Sequence, residues 1–178
     1  MSNGMARFSF CPNCGERTAQ RDAGGRLRDA CDRCDRTFFH NPAPAVAVVL
    51  LDGGRIVLAR RDSSQFRGRW YIPGGFVEED ESVQQAALRE AKEETGLDVE
   101  IVALLTVNSG FDVPGRPVLG VYYLVRPAGG ELCSGGDVDR LEYYALDAVP
   151  DLPFEGDRTV IRMLSSMARK QPARGMEG

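Results

Sequence analysis

The sequence predicts an α/β protein, a mixed sheet with helices on its faces in an α/β/α sandwich, preceded by a small cysteine-rich module. Three observations predict it. Four of the five cysteines fall in the first 34 residues as two C-x2-C pairs, β-type apolar runs begin at Ala45, and helical segments at Glu79 to Thr95 and Asp157 to Lys170 are interleaved with those runs. At 178 residues, 43% hydrophobic and 27% charged, the chain has room for one full domain and a small accessory one. That composition excludes disordered, collagen-like and fibrous classes.

The pairs are Cys11-Pro12-Asn13-Cys14 and Cys31-Asp32-Arg33-Cys34, with 16 residues between them. Each pair can form a tight knuckle whose backbone amides point at sulfur, and Asp22-Ala23-Gly24-Gly25 supplies the turn of a hairpin that brings the knuckles together. Tetrahedral Zn²⁺ on Cys11, Cys14, Cys31 and Cys34 is the expectation, with redox thiols or a disulfide framework as alternatives. The pattern resembles a zinc ribbon and is assigned to residues 1–40. Cys133 is then a lone thiol. His40, the only histidine, stands before Asn41-Pro42 and reads as structural.

Thr37 to Pro44 reads as a linker, and residues 41–170 as the main domain. Ala45 to Leu51 and Ile56 to Arg60 are β-type runs joined by the hairpin signal Asp52-Gly53-Gly54-Arg55. A short strand at Trp70 to Ile72 lies between Arg67-Gly68-Arg69 and Pro73-Gly74-Gly75. The helix at Glu79 to Thr95 opens on acidic residues and is ended by Gly96. Strands follow at Val99 to Val107, Val118 to Val125 and Leu141 to Leu146, then the closing amphipathic helix, then a flexible tail over residues 171–178. The opening MSNGMARFSF lacks a signal-type apolar core, and the run from Ala43 to Leu51 is too short to span a bilayer. A cytoplasmic protein with no membrane partner is expected.

Net charge is −4, but residues 1–40 carry seven Arg against five acidic residues, and Gly75 to Leu97 holds seven carboxylates against Arg89 and Lys92. At about 100° per residue, Glu94 lies roughly 40° and Glu93 roughly 60° from Glu90 on a helix, so three carboxylates share one face. Like charges this close destabilise a bare helix, and they gain nothing from the negative end of its dipole. A hard divalent cation explains the clustering: Mg²⁺ or Mn²⁺ takes oxygen ligands and keeps waters for phosphate oxygens to replace. A solvated acidic face is the alternative.

The run GFVEEDESVQQAALREAKEETGL from Gly75 resembles the Nudix box, matching at Gly75, Glu81, Arg89, Glu90, Glu93, Glu94 and Gly96, with Ala91 a small departure from the aliphatic pattern. Seven fixed identities coincide by chance roughly once in 10⁸ windows. The resemblance spans about residues 45 to 165. It implies a Nudix α/β/α sandwich and a metal-dependent hydrolase that cleaves the diphosphate of a nucleoside diphosphate linked to some moiety X. It further implies that Glu90 and Glu94 ligate the metal, that Glu93 acts as ligand or base, and that the Gly75 carbonyl is a backbone ligand. Arg89 would orient Glu93, and Glu81 would support the loop before the helix. A general base outside the box is implied, for which Asp137, Asp139 and Glu142 are equal candidates.

For X, ADP-ribose or an ADP-sugar stands first. A Ser-Gln-Pro-Trp type signature of NADH pyrophosphatases is absent from TVNSGFDVPGRPVLG, and Pro114 falls near the proline that resembles the ADP-ribose group. NADH or FAD pyrophosphatase and NAD-capped RNA hydrolase are the alternatives, and a Nudix-fold binding module without activity is the non-enzymatic one. Phe66, Tyr71 and Phe111 are candidate purine-stacking residues, and Arg61 and Arg69 candidate phosphate contacts, with core packing and solvated charge as their alternatives. The partner expected is a small nucleotide. Nucleic acid is disfavoured by the near-neutral metal-bound ribbon, and a homodimer stays open.

Overall fold

The structure, a computed structural model, describes residues 8–62, 66–113 and 116–170. The tail expected at 171–178 lies outside them. The chain divides into two compact units, Met1–Asn41 and Pro42–Gly178.

In the first unit β1 (Ala19–Asp22), β2 (Leu27–Cys31) and β3 (Arg36–Thr37) form an antiparallel sheet. The β1–β2 turn closes through Ala23 N–H to Arg26 O at 2.9 Å, with Gly24 and Gly25 both at positive φ, as the turn residues required. Buried Asp29 accepts from Phe8 N at 3.1 Å and pairs with His40 Nε2 at 2.8 Å, so the single histidine has a structural partner. Thr37 is a strand residue and the next strand starts at Ala43, which shortens the expected linker at both ends.

The second unit is built from β4 (Ala43–Asp52), β5 (Arg55–Arg61), β6 (Trp70–Tyr71), β7 (Gly74–Phe76), α1 (Val83–Thr95), β8 (Leu97–Val113), β9 (Arg116–Gly130), β10 (Val138–Ala145) and α2 (Glu155–Lys170). The sheet runs β10-β5-β4-β9-β8, with β6 on β5 and β7 on β4. Only β4 and β9 pair in parallel; every other pair is antiparallel, which makes the sheet mixed.

β4 is apolar on both faces because both are covered. Val46, Val48 and Leu50 pack with Ala86, Ala87 and Ala91 of α1. Ala47 and Val49 point the other way, into a cluster with Val160 and Leu164 of α2. This alternation produces the sandwich. Ala91 is wholly buried there, so its small size lets α1 approach the sheet closely.

α1 begins four residues later than the acidic run suggested. Ser82 caps it: its hydroxyl accepts from Gln85 N at 3.2 Å, and Gln85 Oε1 accepts from Ser82 N at 2.8 Å. Glu79 to Glu81 belong to the preceding loop. β8 and β9 are much longer than the apolar runs that announce them, and Asn108 to Phe111 and Arg116 lie in strands rather than in a loop. Among the described residues no helix is long and apolar enough to cross a membrane.

Candidate active site

β7 fits between β4 and α1 because two of its positions carry no side chain. A Cβ on Gly74 would fall 2.1 Å from Val46 O, and one on Gly75 would fall 2.3 Å from Glu90 Oε1. The Glu90 carboxylate thus occupies the volume that any other residue at 75 would fill.

Glu90 and Glu94 are buried. Glu94 receives the Tyr71 hydroxyl on Oε1 at 2.5 Å and Gly74 N–H on Oε2 at 2.7 Å. Burial nevertheless pushes its pKa up to about 8, against those two hydrogen bonds, and the charge of Glu90 adds to the rise. Burial raises Glu90 as well, opposed by Arg89. Arg89 is the hub. It donates to Glu81 at 2.6 and 3.0 Å, to Glu90 at 2.7 Å, to Glu93 at 3.0 Å and to Phe76 O at 3.0 Å. Glu81 also accepts from Glu78 N at 3.0 Å, and its pKa is lowered chiefly by Arg89.

The three carboxylates share one helix face as the spacing required, but their oxygens do not converge. Among the described residues the one group of potential ligands whose atoms all lie within 4.8 Å is Cys11, Cys14, Cys31 and Cys34. Arg89 holds Glu90 and Glu93, while Tyr71 and Gly74 hold Glu94. The donor set still fits a hard divalent cation. It is all oxygen, and its two buried members are driven toward neutrality by desolvation, a penalty that a cation relieves. In the cysteine group Cys14 and Cys31 sulfurs stand 3.6 Å apart, and Asn13 N–H points at Cys11 Sγ at 3.4 Å, the amide-to-sulfur arrangement expected of a knuckle.

The outside-the-box carboxylates separate. Asp137 pairs with Arg61, and its negative charge contributes to the raised pKa of both Glu90 and Glu94. Asp139 is held by Arg60 through two 2.9 Å bonds, and Glu142 by Arg140 and the Tyr144 hydroxyl. Arg69 is bound to Asp151 at 2.6 Å.

A cavity of about 540 Å³ opens on the α2 face of the sheet beside Gly74 and Gly75. Of the residues expected from sequence, Arg61, Phe66, Tyr71 and Gly75 line it; Arg69, Asp137, Asp139, Glu142 and the box side chains Glu81, Arg89, Glu90, Glu93 and Glu94 do not. The Arg61 guanidinium lies 4.4 Å over the Tyr71 ring. Phe111 pairs with Pro117 through the backbone, but its side chain and Pro114 lie outside the described residues. The cavity also contains Asn108 and Arg116, from the Asn108 to Pro117 stretch that the sequence marks for substrate discrimination, and Phe76, Phe154 and Asp157, which sequence reasoning missed. Phe76 is adjacent to Gly75 and was within reach; Asp157 reads as an ordinary first-turn acid.

Comparison with known proteins places this geometry. The NUDIX domain family matches residues 41–164. The chain is 36% identical over 126 residues to a protein of Methanocaldococcus jannaschii named ADP-ribose pyrophosphatase, covering 70% of this chain and 74% of that one. It is 32% identical over 158 residues to the NAD-capped RNA hydrolase NudC of Pseudomonas aeruginosa, covering 87% of this chain but about half, 53%, of that one. Among solved structures, a NUDIX hydrolase from Nitrosomonas europaea shares the fold with a TM-score of 0.77 at 24% identity, covering 93% of this chain and 96% of that one.

Proposed function

This chain belongs to the NUDIX domain family, a family of divalent-metal-dependent hydrolases acting on small nucleotides, and from that premise we propose that it cleaves the diphosphate of an ADP-linked substrate, ADP-ribose or an ADP-sugar first. The observation that carries the reading is the pair of buried carboxylates, Glu90 and Glu94, packed directly behind Gly74 and Gly75 of β7, which line a nucleotide-sized cavity. The 36% identical archaeal relative named ADP-ribose pyrophosphatase supports the substrate.

Glu90, Glu94, Glu93 and the Gly75 carbonyl would hold Mg²⁺ or Mn²⁺. When bound, the ion supplies charge to offset the diphosphate and acidity to a bound water. Arg89 keeps Glu90 and Glu93 in register, and Glu81 keeps Arg89 in place. Arg61, at the cavity wall, orients a phosphate. Of the three outer carboxylates Asp137, whose negative charge acts on both Glu90 and Glu94, accepts the proton of the attacking water. Water forms a P–O bond in line with the bridging oxygen, the P–O–P link breaks, and ADP-ribose yields AMP and ribose 5-phosphate. Residues 1–40 act as a structural zinc ribbon on Cys11, Cys14, Cys31 and Cys34, with residues 41–170 the catalytic domain. The site is read as cytoplasmic.

Glu94→Gln and Glu93→Gln are expected to lower kcat by at least about a hundredfold with the fold intact. A loss below tenfold, or activity undiminished in EDTA, would show the box to be vestigial. Substrate is settled by kcat/KM on ADP-ribose, NADH, FAD, diadenosine polyphosphates, nucleoside triphosphates and NAD-capped RNA with each metal. AMP must appear as product.

A second reading has one observation in its favour. The 158-residue match to NudC is longer than the second unit, so it extends into the cysteine unit. NADH or NAD-capped RNA preferred over ADP-ribose by more than about a hundredfold, some 2.7 kcal/mol, would select it.

A further inference from the structure

Four strands present a single register row toward the cavity: Phe76 of β7 opposite Ala45 of β4, Ala45 opposite Gly120 of β9, and Gly120 opposite Asn108 of β8. Residues directly opposite one another share a face, and all four line the cavity. Adjacent strands are about 4.8 Å apart, so Phe76 and Asn108 stand roughly 14 Å apart across the row. The two positions between them carry one methyl group in total. The result is a flat shelf with an aromatic wall at one end and a carboxamide at the other. Arg116 covers the Phe76 ring at 4.5 Å from its centroid, which fixes that wall.

The carboxamide end is incomplete. Asn108 Nδ2 is enclosed by protein and has no hydrogen-bond acceptor among the described residues. An enclosed amide donor left unsatisfied is destabilising, and such groups in folded proteins call for an explanation. The shelf beside it supplies one, since a flat ring lying on Ala45 and Gly120 would bring an edge acceptor to Nδ2 once the carboxamide turns out of its enclosure toward the shelf. The shelf is also kept clear from below. A Cβ on Gly120 would stand 3.1 Å from the Tyr122 ring, so a larger residue there would be crowded as well as obstructive.

We propose that Asn108 is the base-reading residue of this enzyme: its Nδ2 donates a hydrogen bond to the adenine ring nitrogen flanking the 6-amino group, N1 or N7, of a base lying on the Ala45–Gly120 shelf beside Phe76. Asparagine pairs with adenine in this way because the base offers a ring-nitrogen acceptor next to an amino donor, matching the carboxamide. The assignment rests on the proposed ADP-linked substrate. It gives the cavity a direction, with the base at the Asn108 end and the diphosphate toward Arg61 and Gly75. Asn108 touches no reacting atom; its contribution is to specificity.

The test separates base reading from hydrolysis. Binding of the non-hydrolysable α,β-methylene analogue of ADP-ribose is measured by calorimetry for the full chain, alongside its 1-deaza and 7-deaza forms. Asn108→Leu, close in size and apolar, should bind the parent analogue about ten- to a hundredfold more weakly. With ADP-ribose itself the loss should fall on KM, leaving kcat within about twofold. One of the two deaza analogues should weaken the unaltered protein by a similar factor and leave Asn108→Leu unaffected, the non-additivity of a lost shared bond. Asn108→Asp, which keeps the size and removes the donor, should behave as Asn108→Leu does. Equal deaza losses in both proteins, or a variant that binds as the unaltered protein does, would overturn the assignment. So would failure of the unaltered protein to bind any of the three analogues. Tight binding of the parent analogue with no turnover of ADP-ribose would instead overturn the hydrolytic reading, while the deaza comparison still decides the role of Asn108.

Discussion

Asp157 sits in the first turn of α2 with its carboxylate buried, accepting from Ile72 N at 3.0 Å and the Tyr122 hydroxyl at 2.9 Å. Burial lifts its pKa to about 6 in spite of both bonds. In an unfolded chain an aspartate titrates near 3.9. As pH rises the unfolded state therefore releases its proton first, and between about pH 4 and 6 the folded state holds the extra one. Stability from this residue is full below that window, falls as pH rises through it by about 3 kcal/mol, and is flat above. Glu94 contributes a decline in the same direction that continues to about pH 8 in metal-free protein. Asp157→Asn should remove the steeper segment below pH 6 while leaving the Glu94 segment. Urea-denaturation midpoints taken from pH 4 to 8 in both proteins check this, and parallel curves would refute it. Nothing in the sequence distinguishes Asp157 from the solvent-facing acids of α2, because its burial depends on Ile72 and Tyr122, both far away along the chain. Glu90 and Glu94 were legible, since their spacing alone puts them on one face. The roles of Asp137, Asp139 and Glu142 were not, because they are decided by which arginine each meets: Arg61, Arg60 or Arg140.

α1 shows what local signals can and cannot fix. Its end was legible in Gly96, which adopts φ 71° and sends its N–H to Lys92 O at 3.0 Å. Its start was misplaced because an acidic run looks like a first turn, whereas the reciprocal Ser82 and Gln85 bonds form the real cap. Ser82→Ala should cost about 1 kcal/mol of stability, within the range for cap removal. Gly96→Ala should cost more than that, despite alanine's higher helix propensity, because the new Cβ would meet Cys133 Sγ at 2.4 Å and Glu131 O at 2.6 Å. Thermal unfolding of the two variants checks the order; a stabilised Gly96→Ala would contradict it. The β4–β5 hairpin was likewise local and readable, its Gly53 and Gly54 both at positive φ. The pairing of β4 with β9 was not, since no short-range pattern names a partner so distant in sequence.

Over the whole chain the two units differ in what holds them. The second has apolar clusters on both faces of its sheet. Among its described residues the first buries little beyond Cys11, Ala30, Cys31 and the Asp29 network, a small core for a unit of this length. Zinc on the four cysteines, as proposed, would supply the missing stability. A zinc-selective chelator added with Mg²⁺ in excess should abolish amide-exchange protection across β1 and β2 while leaving β4, β9 and α1 protected. Protection retained in β2 after zinc removal, confirmed by elemental analysis, would show the site to be dispensable. Residues 43–50 of β4 each pair with one 75 positions later, Ala43 with Val118 and Leu50 with Val125. A ribosome adding about 5–20 residues per second needs some 4–15 seconds to make that interval. For that time the strand destined for the middle of the sheet is an apolar edge with no partner on one side, so the nascent chain passes through its most aggregation-prone stage before the cavity has a floor.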